Sequence, residues 1–425
     1  MITLPDDLLH GHEARQGAIP LLLRSQDDGD SYSGFNVKTH DVVVRGSLFI
    51  SKTDTVPPVA DLAHADDEVC VITPPPTASS PDDGNDAAPQ GVLKGFVRRH
   101  GEWVETPVAV VPLQEDLFSP TKGLIETDAL ANMQVLVVGL GSGGAPVAID
   151  LARLGLNLIL IDHDRLEVHN VVRHVAGLSD VGRLKVNILA EMVLEKNPFA
   201  KVDRHATKIG WDTEPLVRQL VRKSDLVVCA VDCHDGRQVL NKVCCEERKP
   251  LIIAGAFRRA HGGQVLVVIP GRTPCFQCFL KGDPTRVRDR EISSAEQARR
   301  YAYSDRPVAI EPGLSVDIAP ISLMIVKLAI QLMLKGKPTS LQSLDEDLVA
   351  PWFMYLNRRE KGTSYENLDP LGFDPDGFHI LRWYGIDYPR DPACPCCGNF
   401  VESVAAQEGI EIGPDDAAKY APQGG

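Results

Sequence analysis

Gly139-Leu140-Gly141-Ser142-Gly143-Gly144, directly after the apolar run Gln134–Val138, constrains the fold more than any other stretch of this 425-residue chain. Glycines in a Gly-x-Gly-x-x-Gly spacing let the backbone turn sharply from a strand into a helix, so that backbone N–H groups at the helix N-terminus face an anion such as a phosphate. Asp162 follows 23 residues beyond Gly139, at the end of the next apolar run, where a carboxylate can accept hydrogen bonds from ribose hydroxyls. By themselves these features suit a dinucleotide-binding dehydrogenase as well as any other nucleotide-binding α/β protein.

From Met133 onward, apolar runs at Gln134–Val138, Leu158–Asp162, Asp225–Val231 and Leu251–Ala254 alternate with helical stretches at Gly143–Leu154, Arg183–Lys196 and Gly236–Glu246. That alternation predicts an α/β fold, a Rossmann-like, mostly parallel sheet with helices on both faces. Residues 1–115 read instead as a β-rich accessory domain, with runs at Asp41–Ile50, Glu68–Ile72, Gly91–Val97 and Trp103–Val111. Pro, Asp and Ala dominate residues 73–91, which predicts a disordered loop. Residues 116–400 are expected to form the α/β domain and 401–425 a flexible tail.

The formal net charge of −14 argues against a chain that grips nucleic acid or anionic lipid through its overall field. An acidic start and a long apolar stretch, Leu314 to Leu334, interrupted by Asp317, Pro320 and Lys327, predict a soluble cytoplasmic chain with no membrane span and a buried helix at that stretch. Ten cysteines in such a chain are expected to be reduced or metal-bound. Cys275 and Cys278 form one Cys-x-x-Cys pair and Cys394 and Cys397 another, with 115 residues between the pairs. Four thiolates make a closed tetrahedral structural Zn²⁺ site, while four unrelated reduced thiols are the alternative. Cys396 can replace Cys394 or Cys397 in such a set. Cys229, Cys233, Cys244 and Cys245 read as small buried hydrophobes.

The run Asp162-His163-Asp164-Arg165-Leu166-Glu167-Val168-His169-Asn170-Val171-Val172-Arg173, then Gly182-Arg183-Leu184-Lys185, then Asp225–Asp232 resembles the ThiF/MoeB/HesA family, the adenylating fold of ubiquitin-activating enzymes. Lys185 arrives one residue earlier than that pattern expects. The resemblance implies ATP with Mg²⁺ as cofactors, Gly139, Gly141, Gly144, Asp162, Asn170, Arg173 and Lys185 as the nucleotide-binding residues, Asp232 as the magnesium ligand, and zinc at the four cysteines. The chemistry suits these residue types. A carboxylate is already ionised at neutral pH, so its attack on the α-phosphate of ATP needs no base, only cations and dipoles aimed at the phosphates. The plain alternatives are that Arg173 and Lys185 are surface cations and that Asp232, or better Asp235, caps the helix at Gly236–Glu246. Arg237 and Asn241, four apart on that helix, are further candidates to line the pocket.

By the same resemblance, the substrate is the C-terminal glycine carboxylate of a ubiquitin-like or sulfur-carrier protein. A homodimer and a conjugating-enzyme-like partner are expected, in the manner of bacterial ubiquitin-like conjugation systems. Adenylation of a peptide or tRNA, or a non-catalytic scaffold role, are the alternatives. Two departures stand out. The segment Phe118–Gly123 offers only Lys122 where relatives carry a phosphate-reaching Arg, and the loop Asp305–Ser315 has Ala309 and Ile310 where conjugating members carry a nucleophilic Cys. Ser304 and Ser315 flank that place and are the candidate hydroxyl acceptors, although Ser315 also suits a helix cap. The terminal Gly424-Gly425 offers one more alternative to a chance pair, that the tail imitates an activated carrier and enters the chain's own site, which needs those residues to act as a bare peptide.

Overall fold

The computed structural model describes residues 1–6, 19–25, 32–33, 43–50, 58–73, 93–125, 127–282, 312–341, 343–363, 365–368 and 379–398. The expected disordered loop, apart from Thr73, the tail, Ser304, Ala309 and Ile310 lie outside them. The chain divides into two compact units, Met1–Pro120 and Thr121–Gly425.

The first unit is an eight-stranded sheet of β1 (Ile2–Pro5), β2 (Ile19–Ser25), β3 (Tyr32–Ser33), β4 (Val43–Ile50), β5 (Val69–Thr73), β6 (Lys94–Arg99), β7 (Glu102–Thr106) and β8 (Val108–Val111), with the short helices α1 (Val59–Leu62) and α2 (Leu113–Leu117). The order is β7-β6-β5-β4-β2-β3-β1-β8. Thr73, expected to open the loop, is instead the last residue of β5, where its backbone pairs with Ile50. Gly95 of β6 sits where a Cβ would meet Val108 of β8 at 2.5 Å and Ile2 of β1 at 2.8 Å. A strand from one half of the sheet order therefore lies against the other end, and only glycine leaves the room.

The second unit begins with α3 (Thr127–Leu130) and continues through β9 (Gln134–Val138), α4 (Gly144–Arg153), β10 (Asn157–Ile161), α5 (Lys185–Lys196), β11 (Val202–His205), α6 (Glu214–Lys223), β12 (Leu226–Cys229), α7 (His234–Glu246), β13 (Leu251–Ala256), β14 (Gly262–Val268), α8 (Phe276–Gly282), α9 (Ser315–Leu334), β15 (Trp352–Leu356) and β16 (Arg382–Ile386). The sheet order is β11-β10-β9-β12-β13-β14-β15-β16. The first five strands are parallel and the last three add antiparallel.

Strands β9, β10 and β12 are buried on both faces, which is why they read as unbroken apolar runs. Their alternate residues feed two cores. Val135, Val137, Leu158 and Leu160 pack with residues of α4, α5 and α9. Leu136, Val138, Ile159 and Ile161 pack with residues of α6, α7 and α8. Both faces of the sheet are thus covered, as the alternation predicts. Helix α9 is apolar and long enough to cross a membrane by length and composition alone. Its Ile321, Ile325 and Leu328 are nevertheless buried in the first core, and its Asp317 pairs with Arg358 at 2.6 Å.

Candidate functional site

The chain leaves β9, moves outward through β10 to β11, and returns on the other side of β9 as β12. The strand order therefore reverses beside β9, and ligands of open α/β sheets bind at the carboxyl ends of the strands at such a switch point. Three candidate segments follow those ends: the glycine loop after β9, Asp162 after β10 and Asp232 after β12.

Sterics account for two of the glycines. Gly139 adopts φ +88°, and a Cβ there would lie 2.8 Å from the Ala230 carbonyl. A Cβ on Gly144 would lie 1.9 Å from the Gly139 carbonyl oxygen. Only glycine lets α4 start this close to its own strand. Around Gly141 a Cβ would meet nothing within 4 Å, so the loop is open on that side. The Gly139 N–H donates to Ile161 and the Leu140 N–H to Asp162 Oδ2 at 2.7 Å. Among the described residues no acceptor meets the N–H groups of Gly141, Ser142 and Gly143. Three free donors at the start of a ten-residue helix are an arrangement that can receive an anion.

Asp162 is 8% exposed. Its second oxygen accepts from the Asp164 N–H at 2.8 Å, so the carboxylate stitches the glycine loop to the turn after β10. Lys185, the first residue of α5, is buried with its side chain 9% exposed, and Nζ donates to Asp164 Oδ2 at 2.9 Å. Asn170 Oδ1 accepts the Glu167 N–H at 3.0 Å, which fixes the turn carrying Arg173. A Cβ on Gly313 would lie 3.8 Å from Arg173 Nη1, so the guanidinium stands beside the segment that enters α9. His174, which the sequence reading did not single out, bonds the Leu140 carbonyl through Nε2 at 2.8 Å. Burial, the largest influence, holds its pKa below the ordinary imidazole value, although the Leu140 carbonyl pulls the other way.

Asp232 is exposed and belongs to no group of three metal-ligating side chains among the described residues. It does not cap α7, and neither does Asp235. The extended residue before that helix is Cys233, without a side-chain cap bond. Ser315 likewise is not the cap of α9. Leu314 holds the extended N-cap position and Ser315 is already helical, one residue too late for its hydroxyl to serve. Arg237 stays near the site, its Nε donating to the Val231 carbonyl at 3.0 Å. Asn241 does not: it is 2% exposed, accepts the Phe276 N–H at 2.8 Å and donates to Cys396 Sγ at 3.1 Å. It braces the cysteines instead.

Cys275, Cys278, Cys394 and Cys397 converge, with all four sulfurs within 4.8 Å of one another. Separations of 3.9, 3.6 and 3.4 Å are found for Cys275 to Cys278, Cys275 to Cys394 and Cys278 to Cys397. A tetrahedral zinc with Zn–S bonds of about 2.3 Å demands S···S edges of about 3.8 Å, so the donor set fits the ion. Neighbouring thiols, Cys275 first, hold Cys394 well below the usual thiol range, and Cys275 is pushed well above it, chiefly by Cys245. Cys396 stands apart from this set, grouped with Cys245 and Cys275. Cys229 and Cys244 are fully buried in the core as expected, and burial pushes the Cys229 thiol up to about 11.

Residues 114–355 match the ThiF family. The chain is 29% identical over 226 residues to the NEDD8-activating enzyme E1 catalytic subunit of Arabidopsis thaliana, covering 50% of this chain and 46% of that one. It is 34% identical over 170 residues to the adenylyltransferase and sulfurtransferase uba4 of Pyricularia oryzae, covering 40% and 33%. A solved structure of E. coli MccB with ATP covers 64% of this chain and 68% of its own at 21% identity, with a TM-score of 0.45. The chain spans less than half the length of these two curated relatives. Because the match takes in more than half of its residues and includes the glycine loop, Asp162, Arg173, Lys185 and Asp232, the chain belongs to the ThiF family.

Proposed function

We propose that the protein is an ATP-dependent adenylyltransferase that activates the C-terminal glycine carboxylate of a ubiquitin-like or sulfur-carrier protein. The observation that carries this reading is the set of free N–H groups at the start of α4, joined through Asp162 to Asp164, which holds the buried Lys185, with Arg173 beside the segment that enters α9. Such a site receives phosphate on fixed dipoles and cations. A carrier carboxylate oxygen attacks the α-phosphorus, the bond from that phosphorus to the bridging oxygen breaks, and pyrophosphate leaves with the bonding pair. No proton moves, because the nucleophile is already ionised. Lys185 and Arg173 offset the charge of the phosphates, Asn170 holds the turn that carries Arg173, and Asp162 keeps the glycine loop in register with its turn. Asp232 would hold Mg²⁺, and the ion would neutralise further charge on the departing group. Zn²⁺ on Cys275, Cys278, Cys394 and Cys397 would tie α8 to the segment after β16.

A homodimer in the cytoplasm, with a conjugating-enzyme-like protein downstream, completes the reading. With Ser304 or Ser315 as the acceptor, the carrier would pass to an oxyester. With neither, the adenylate goes directly to the nucleophile of another protein. ATP–pyrophosphate exchange in the presence of a small carrier ending in glycine tests the function. Arg173→Ala and Asp232→Ala should each lower exchange about a hundredfold, the size of one preorganised contact on developing charge. Full exchange by Asp232→Ala would remove the magnesium assignment, and hydride transfer to a bound nicotinamide would replace the whole reading.

A further inference from the structure

The Leu140–Gly141 peptide pairs with no neighbouring strand: its carbonyl meets the His174 ring, and among the described residues its N–H meets no acceptor. A glycine on its far side leaves it free to flip, since Gly accepts the dihedrals on either side of such a rotation. In a trans peptide the carbonyl and the following N–H point in opposite directions. Whatever holds the Leu140 carbonyl therefore decides where the Gly141 N–H points.

His174 holds it. The Ala176 N–H donates to His174 Nδ1 at 3.1 Å, so that nitrogen carries the lone pair. In the neutral ring the proton then sits on Nε2, which donates to the Leu140 oxygen at 2.8 Å. On the other side of the same residue, Asp162 Oδ2 accepts the Leu140 N–H at 2.7 Å. Leu140 itself is fully buried. We infer that His174 is a positioning residue for the nucleotide: by clamping the Leu140 carbonyl inward it turns the Gly141 N–H outward, toward the phosphate. This rests on the reading of the loop as the ATP site.

His174 is only partly buried, and Asp162, Asp180 and Lys185 act on it. Burial favours the neutral ring that the clamp needs, and so does Lys185, while Asp162 and Asp180 oppose. Ala176 is 4% exposed and packs in the first core. The support for the ring is therefore as fixed as the helix it serves. No contact between His174 and the reacting atoms is required, because its effect passes through one peptide plane.

The test compares the binding of ATP, inorganic pyrophosphate and adenosine to the full chain and its variants, with folding checked by thermal melting. His174→Ala should weaken ATP and pyrophosphate about tenfold, the loss of one well-aligned phosphate contact, and leave adenosine within about twofold. Adenosine has no phosphate, so a general loss of structure would lower it equally. His174→Gln, whose amide can donate to Leu140, should recover most of the ATP affinity. If His174→Ala does not fold, His174→Met fills the same space without the Nε2 proton and should give the same tenfold loss. Equal losses for ATP and adenosine, or unchanged ATP affinity, would overturn the clamp alone. A wild-type chain that binds neither ATP nor pyrophosphate would overturn the clamp and the function together.

Discussion

Two alanine substitutions in the glycine loop should behave oppositely. A methyl on Gly144 would lie 1.9 Å from the Gly139 carbonyl oxygen, so either group must move by at least 1.1 Å to reach the 3.0 Å that real contacts tolerate. No rotamer relieves this, because the contact is to backbone. Retreat of α4 is opposed from behind, where Ala145 and Ala148 are fully buried and Ser322 of α9 donates to the Gly143 carbonyl at 2.8 Å. The cost belongs at the upper end of overpacking, about 3 kcal/mol, which in a unit of this size lowers the melting temperature by roughly 6–12 °C. A shift of that size in the N–H groups also costs about a hundredfold in exchange. Gly141→Ala meets nothing within 4 Å, so its stability should stay within about 0.5 kcal/mol of wild type or rise, as chain entropy of the unfolded state falls. Its methyl nevertheless enters the open side of the loop, and ATP binding should fall. Scanning calorimetry and ATP titration on both variants read the two effects separately. A Gly144→Ala chain with wild-type melting, or a Gly141→Ala chain as unstable as Gly144→Ala, would refute the reasoning.

Metal analysis should give one zinc per chain, and Cys275→Ser should lose it together with at least several degrees of melting temperature; full stability without zinc would dismiss the site. Asn241→Ala leaves the buried Phe276 N–H without its acceptor and should cost about 1–3 kcal/mol, measurable by denaturant unfolding, with no change in ATP affinity. His174 titrates below its ordinary value of 6.5 in the folded chain, so in the window beneath 6.5 the unfolded state binds more protons. Stability should then fall as the pH drops from 6.5 toward the folded value and level off below it. In His174→Gln that component should vanish, and parallel losses in both proteins would reject it.

Much of the second unit is readable from sequence because a strand covered on both faces must be apolar throughout. Gln134–Val138 is recovered to the residue, and α4, α5 and α7 to within two at either end. Strands without that double cover escape, and so do the buried antiparallel additions Gly262–Val268 and Trp352–Leu356. Val202–His205 is an edge strand with two exposed polar residues, Asp203 and Arg204, and Arg382–Ile386 at the other edge is only half-buried. Pro20 interrupts Ile19–Ser25, which makes that strand look like a connection. Helix α6 did carry a signal, since Leu216, Val217, Leu220 and Val221 recur at helical spacing behind Pro215, yet it lies outside the elements read above.

The site divides along the same physical line, between bonds within one turn and bonds made by wrapping. Asp162 and Asp164 are two residues apart, and their hydrogen bond follows from the turn that ends β10. Asn170 reaches back three residues. Such contacts leave a spacing in the sequence. The His174 bond to Leu140 joins residues 34 apart, and that of Asn241 to Cys396 joins residues 155 apart, so neither has a spacing to find. Asn241 stood out only by its spacing from Arg237, and His174 by nothing at all. Asn241, four residues from Arg237, looked like part of the nucleotide pocket, but its buried end faces the cysteines because Phe276 and Cys396 arrive there from later elements. The cap expectations failed by smaller distances. Ser315 stands one residue inside α9 and Asp235 two past Cys233, and a side chain at a helical position cannot fill the extended geometry that capping requires.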